Sequence, residues 1–273
     1  MTVSTSGACA DGAAYGVLRP VTAVASVLLA RNPSPMTLAG TNTWVLRAPG
    51  AADCVVVDPG PDDEDHLDRI AAAGPVAAVV LTHRHADHSD GAPRFAERTG
   101  APLFAADPAL RLPLAGGENG LDDGRLLRAA GLRLRVLATP GHTSDSRCLL
   151  IEGDHSVLTG DTVLGRGTTI VAHPDGRLVD YLDSLRRLID LPAGTVGLPG
   201  HGPELPDVSA VASAYLDHRL RRLDQIRAAL AELGPDATAR QVVELVYADV
   251  DRDLWPAAEW SVEAQLVYLR EHG

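Results

Sequence analysis

From position 21 to position 198 the chain repeats one phrase: a short apolar run, then glycine, proline or an acidic residue. The runs at 21–29, 43–46, 54–57, 76–81, 132–138, 156–158 and 196–198 are short and rich in valine and leucine, which predicts buried strands. Leu132-Arg133-Leu134-Arg135-Val136 alternates, so one face of that strand is expected to be wet. Asp58-Pro59-Gly60 ends the run at 54–57 in a turn. Asp62, Asp63, Glu64 and Asp65 then crowd the start of a helix ending near Ala73, where acidic side chains suit the helix dipole. Further helices are expected at 92–99 and 181–189. Strands alternating with helices predict an α/β fold.

The pattern changes after Pro206. Val208, Val211, Tyr215, Leu216, Leu220, Leu223, Ile226, Leu230 and Leu233 recur at helical spacing until Gly234-Pro235 stops them. Thr238 and Gln241 form a capping-box signal before a short helix through Tyr247. Pro256 opens a third helix carrying Ala258, Val262, Leu266 and Leu269, with Trp255, Trp260 and Tyr268 expected as core anchors. Residues 1–205 and 206–273 are therefore expected to form a larger domain and a small helical tail, and residues 1–15 are expected to fray. The stretch 110–131 reads as a surface connection, with a wall of the pocket as the alternative.

Candidate chemistry sits where strands end. The run 76–81 leads into Thr82-His83-Arg84-His85-Ala86-Asp87-His88, which packs three imidazoles and a carboxylate into six consecutive positions. So many neighbouring histidines would repel one another if protonated; as neutral imidazoles they are metal ligands. Three later strand ends repeat the grammar in Pro140-Gly141-His142, Gly160-Asp161 and Pro199-Gly200-His201, with glycine allowing a sharp turn close to an ion. Seven candidate ligands on four strand ends are enough for two metals. Imidazole and carboxylate ligation suits zinc first, then manganese or iron.

The order His-x-His-x-Asp-His, His, Asp, His over residues 35–202 resembles the metallo-β-lactamase fold of hydrolases. The resemblance implies a four-layer αββα sandwich. It also implies that His83, His85 and His142 bind a first metal, that Asp87, His88 and His201 bind a second, and that Asp161 bridges both. By the same resemblance a metal-bridging hydroxide attacks the substrate and Asp87, or a water near it, passes the proton. Asp161 stands where true β-lactamases place a cysteine ligand, which points to the hydrolase branches. Asp58 is expected to hydrogen-bond a ligand histidine from behind. Asn42, Thr168 and Thr169 either face the substrate or cap loops. His66, His155, His173, His218 and His272 match no ligand motif and read as surface or loop residues. The segment from Asn32 to Thr43, the Gly165-x-Gly167-Thr168-Thr169 motif and the three tail helices resemble the β-lactamase-like-protein-2 branch, which has a winged-helix-like tail and includes a single-strand endoribonuclease. That branch has an aromatic residue where Arg84 stands.

Charge weighs on the choice of substrate. The net charge is −12, and all 24 basic residues are arginine. From Pro206 onward 7 arginines face 12 acidic residues. A nucleic-acid grip usually needs a basic stripe, so RNA is disfavoured as a partner. The expected function is a dinuclear metal-dependent hydrolase of a small ester, thioester or lactone. The alternative is a phosphodiesterase or endoribonuclease on single-stranded RNA, and a non-catalytic binding scaffold is the third reading. The tail is expected to serve as a lid, a packing element or a homodimer surface. Cys9, Cys54 and Cys148 show neither metal nor disulfide spacing, and the latter two read as small core residues. No apolar segment is long enough to span a bilayer and no secretory leader is visible, so the expected compartment is the cytoplasm.

Overall fold

The computed structural model describes residues 14–112 and 118–272. Cys9 and most of the segment expected to fray lie outside them. A six-stranded mixed sheet is built from β1 (Arg19–Pro20), β2 (Ala25–Leu29), β3 (Asn42–Leu46), β4 (Cys54–Val57), β5 (Val76–Val80) and β6 (Leu103–Phe104), hydrogen-bonded in that order. Its first three pairings are antiparallel and its last two parallel. A five-stranded sheet is built from β7 (Leu126–Ala129), β8 (Leu132–Ala138), β9 (Arg147–Ile151), β10 (Ser156–Gly160) and β11 (Val196–Pro199). The β10–β11 pairing is parallel and the other three are antiparallel.

Alternation along each strand divides its side chains between two cores. Trp44, Leu46, Val55, Val57 and Val80 of the first sheet meet Leu134, Val136, Leu149, Leu158 and Leu198 of the second. Their neighbours Val45, Cys54, Val56 and Val79 point outward. That outer face is covered by α1 (Glu64–Ala71), which contributes Leu67 and Ile70, and by α3 (Ala92–Thr99), which contributes Phe95. The short α2 (Ala86–Ser89) lies between them in the chain. On the other side Cys148 and Val157 pack against α4 (Leu178–Ile189) and the first part of α5 (Val208–Leu233). Two sheets with flanking helices make the αββα sandwich. Cys148 is fully buried, and burial pushes its thiol up to about 11, so it serves packing.

The tail comprises the end of α5, α6 (Ala239–Val246) and α7 (Trp255–His272). Ile226 and Ala229 of α5 pack with Val242, Val243, Trp255, Val262 and Leu266 in a separate cluster. α5 is one 26-residue helix, and its Val208, Ala212, Tyr215 and Leu223 belong to the second-sheet cluster. The capping box forms as expected: Thr238 N donates to Gln241 Oε1 at 2.9 Å and Gln241 N to Thr238 Oγ1 at 3.3 Å.

Four expectations need correction. The run 21–29 is not one strand, because Thr22 Oγ1 accepts from Val24 N and Ala25 N in a turn between β1 and β2. The stretch 110–131 contains β7, and its Leu121 and Leu127 are buried; residues 113–117 lie outside the described residues. Trp260 is 48% exposed. It lies five positions beyond buried Trp255, a rotation of about 140° around the helix. His66 is buried beneath the first sheet, where its Nε2 lies 2.9 Å from Thr43 Oγ1.

Candidate metal centre

The C-terminal ends of β4, β5, β8, β10 and β11 carry the site. The edges of the two sheets are tied there by main-chain bonds: Arg147 N donates to Thr82 O at 2.8 Å, and Asn42 N to Gly200 O at 2.8 Å. These ties bring the loops after β5, β8, β10 and β11 over one point, and all seven expected ligands meet there. His83, His85 and His142 form one group; Asp87, His88 and His201 form a second. His85 Nδ1 lies 3.1 Å from His83 Nε2 and 3.0 Å from His142 Nε2. His201 Nε2 lies 3.2 Å from His88 Nε2 and 3.2 Å from Asp87 Oδ2, and His88 Nε2 lies 3.4 Å from Asp87 Oδ2. Asp161 stands between the groups, with Oδ2 at 3.3 Å from His201 Nε2 and 3.7 Å from His142 Nε2.

A tetrahedral ion with bonds of about 2.0–2.1 Å separates its donors by about 3.3 Å, so both groups have the spacing of ligands. Asp161 Oδ1 is buried 3.5 Å from His88 Nε2 and has no hydrogen-bond partner among the described residues, which leaves a carboxylate oxygen free to ligate. A side chain on Gly200 would place Cβ at 2.4 Å from that oxygen and 2.6 Å from His88 Cε1, so only glycine fits the turn. The residues present fit a pair of divalent cations.

Four histidines are oriented from behind. Asp58 Oδ2 accepts from His88 Nδ1 at 2.8 Å and from Thr82 Oγ1 at 2.6 Å, while Oδ1 accepts from Thr82 N at 2.8 Å. Because the Thr82 hydroxyl donates to Asp58, it accepts from His83 Nδ1 at 3.0 Å. His142 Nδ1 donates to Ile170 O at 2.7 Å and His201 Nδ1 to Gly40 O at 3.1 Å. Each ring is thereby held with Nε2 toward the centre. Thr41 Oγ1 donates to Asp87 Oδ2 at 3.0 Å.

Burial and charge compete in the centre. Burial, with His88 nearby, holds His83 well below the ordinary histidine range. Burial also opposes ionisation of Asp161, but His201 and His88 outweigh it and keep Asp161 well below the carboxylate range. Asp87 is held at about 2 against the same desolvation by its hydrogen bond to His201 and by His88. His201 is pushed up to about 11, because Asp161 and Asp87 overcome its burial. Two ionised carboxylates in a buried cluster draw positive charge to this point.

The remaining sequence candidates take different places. Asn42 is buried and clamps the His201 loop, with Nδ2 donating to Pro199 O at 3.0 Å and Gly202 O at 2.8 Å. Thr169 Oγ1 donates to Asp161 O at 2.7 Å, whereas Thr168 lines an adjoining cavity. That cavity of about 390 Å³ runs from His142 and Asp161 to His218, Arg219 and Arg222 of α5 and to the start of α7. Sequence reasoning missed Thr82, Thr41 and the α5 residues. The signal for the last was available: Tyr215, Arg219 and Arg222 share one helical stripe. It missed Arg84 as well, whose Nε lies 3.1 Å from Asp145 Oδ1 and whose Nη2 donates to Ser144 Oγ at 3.0 Å, joining the His83–His85 segment to the His142 loop.

Residues 36–201 match the family model of the metallo-beta-lactamase superfamily, and residues 238–273 match that of the beta-lactamase associated winged helix domain. The chain belongs to the metallo-β-lactamase superfamily. Within it, the chain is 32% identical over 234 residues to a beta-lactamase-like protein 2 homolog of Caenorhabditis elegans, covering 81% of this chain and 76% of that one. It is 30% identical over 249 residues to an atrochrysone carboxyl ACP thioesterase of Aspergillus fumigatus, covering 83% and 74%. A metallo-beta-lactamase family protein of Thermus thermophilus superposes with a TM-score of 0.73 at 26% identity over 91% of this chain and 94% of that chain. As a superfamily hydrolase the protein carries a divalent-metal site, a winged-helix tail and, among the described residues, no helix long and apolar enough to cross a membrane.

Proposed function

We propose that this chain hydrolyses small-molecule thioesters or esters, lactones included, with two divalent ions. In this reading His83, His85 and His142 would hold one ion, Asp87, His88 and His201 would hold the other, and Asp161, between the two groups, could serve both. The observation that carries the reading is the position of Asp161: its carboxylate lies between the two donor groups and also lines the cavity. Zinc is the ion this donor set suits first. Bound there, the ions would supply Lewis-acid polarisation and a nucleophile from water near neutral pH.

The chain's own residues do the rest. Asp58, Ile170 O and Gly40 O fix the histidines, and Thr41 fixes Asp87. The Asp87 side chain is 27% exposed, more than that of Asp161, which places it to exchange a proton with solvent. Residues 1–205 supply the metal centre and residues 206–273 supply one wall of the cavity. The relative named as an acyl-carrier thioesterase supports the acyl class, and the acidic surface argues against a polyanionic substrate.

The test is turnover of thioester and lactone panels beside short single-stranded RNA, with metal content measured in the same sample. We expect thioester or lactone cleavage, close to two ions per chain, and loss of both in Asp161→Ala. Cleavage of RNA alone would overturn the substrate class. One ion per chain with full activity would overturn the dinuclear assignment.

A further inference from the structure

The cavity wall contributed by α5 inverts the usual order of burial. Arg219 is 4% exposed while its neighbour Leu220 is 42% exposed. A buried guanidinium normally has a carboxylate partner. Several surface arginines of this protein have one, such as Arg94 with Asp62, Arg187 with Asp123 and Arg240 with Glu259, while others, such as Arg111 and Arg147, are held by main-chain carbonyls. Arg219 has no ion pair among the described residues. Its Nη2 donates to Thr169 O, its guanidinium lies 5.2 Å from the Tyr181 ring centroid, and its Nε is buried without a partner. Arg222, on the same face, likewise has no carboxylate partner among them: Nη1 donates to Gln225 Oε1 at 2.9 Å and Val246 O at 3.3 Å, and the group lies 4.1 Å from the Tyr247 centroid. Both line the cavity, where Asp161 is the only carboxylate among the described lining residues. Local composition does not account for this, because acidic residues outnumber arginines 12 to 7 in the tail.

We propose that Arg219 and Arg222 receive an anionic group of the substrate, a carboxylate or a phosphate, so that the preferred substrates are negatively charged thioesters or esters. The proposal rests on the hydrolase reading above. Arg219 stands two hydrogen bonds from the metal centre, through Thr169, whose Oγ1 donates to Asp161 O at 2.7 Å. The charged end and the scissile bond thus share one cavity, and Leu38, Leu164, Val250 and Leu254 line it for the hydrocarbon between them. A carboxylate would sit on the acyl chain; a phosphate would sit on the carrier arm of the leaving thiol.

Uncleavable thioether analogues test this by calorimetry on the metal-loaded full chain. One pair compares a glutaryl-type with a pentanoyl-type chain on N-acetylcysteamine. The second compares the S-alkyl thioethers of phosphopantetheine and pantetheine. In at least one pair the charged member is expected to bind about tenfold more tightly, as a charge-assisted hydrogen bond provides, and the pair that responds identifies the source of the charge. The preference is expected to vanish in Arg222→Met, to return in part in Arg222→Lys, and to persist in Arg186→Met, which alters an exposed pair with Asp183. Arg219→Met gives a second reading wherever its circular dichroism and metal content match wild type. Equal binding within both pairs, or a preference that survives Arg222→Met, overturns the proposal. Because these analogues need no turnover, a failure to hydrolyse any thioester would refute the reaction class without touching the charge preference in binding.

Discussion

At the scale of single residues, Asp58 does more than its place in a turn suggests. It joins the backbone and hydroxyl of Thr82 to the His88 ring, and through Thr82 it reaches His83. One carboxylate thereby sets a ligand in each donor group. Asp58→Asn keeps the shape but offers Nδ1 of His88 a donor as readily as an acceptor, which frees the ring to turn. Metal affinity is expected to fall about 10–100-fold, the usual effect of removing such a support, read by competition with a chromogenic chelator. An unchanged affinity would show that packing alone orients His88. The histidines themselves were legible because the chemistry is concentrated in residues 83–88. The supports were less so. Gly40 O and Ile170 O act through main-chain carbonyls that any residue carries, and Thr82 gains its role only when Asp58 lies beside it.

At the scale of elements, the end of the chain was legible where local rules govern it. Thr238 caps α6 through its own side chain, and Gly234 stops α5. Thr238→Ala is expected to cost about 1 kcal/mol, seen as a lower urea midpoint with an unchanged slope and unchanged metal content. A loss several times larger would mean that the cap also holds the tail against the cavity. Periodicity located α5 but not all of its buried positions, because the helix meets two apolar clusters and the cavity along its length. Its stripe therefore changes face, burying Arg219 and leaving Leu220 outside. The strands β7 and β9 were poorly marked for a different reason. Both are short, and each carries an arginine: Arg128 within β7 and Arg147 at the start of β9, where its Nε donates to Leu121 O.

At the scale of the whole molecule, stability should depend on pH through His66. Burial lowers its pKa to about 4, from an ordinary value of 6.5. The folded state then binds fewer protons than the unfolded chain between those values. The contribution of this group is complete above pH 6.5 and is lost as the pH falls toward 4. The full shift corresponds to up to about 3 kcal/mol. Urea unfolding at a series of pH values should show this slope, and His66→Gln should flatten it while lowering stability at pH 7 through the altered bond to Thr43. An identical slope in the variant would assign the effect to other groups. From periodicity alone the layered architecture was legible only as an alternation of strands and helices; the sandwich itself came through the ligand-motif resemblance. Which faces meet depends on pairings between distant segments, such as β10 with β11, that no local pattern announces.

The cavity draws its two ends from separate stretches of chain: loops at 35–38, at His142 and at 161–170 at one, and α5, residues 247–254 and the start of α7 at the other. Each can therefore vary under its own selection. On the proposed reading, a lineage could exchange the tail residues that choose a molecule while inheriting, untouched, the apparatus that cuts it. Grafting the 218–222 segment from one relative to another is then a route to new selectivity, not to new chemistry.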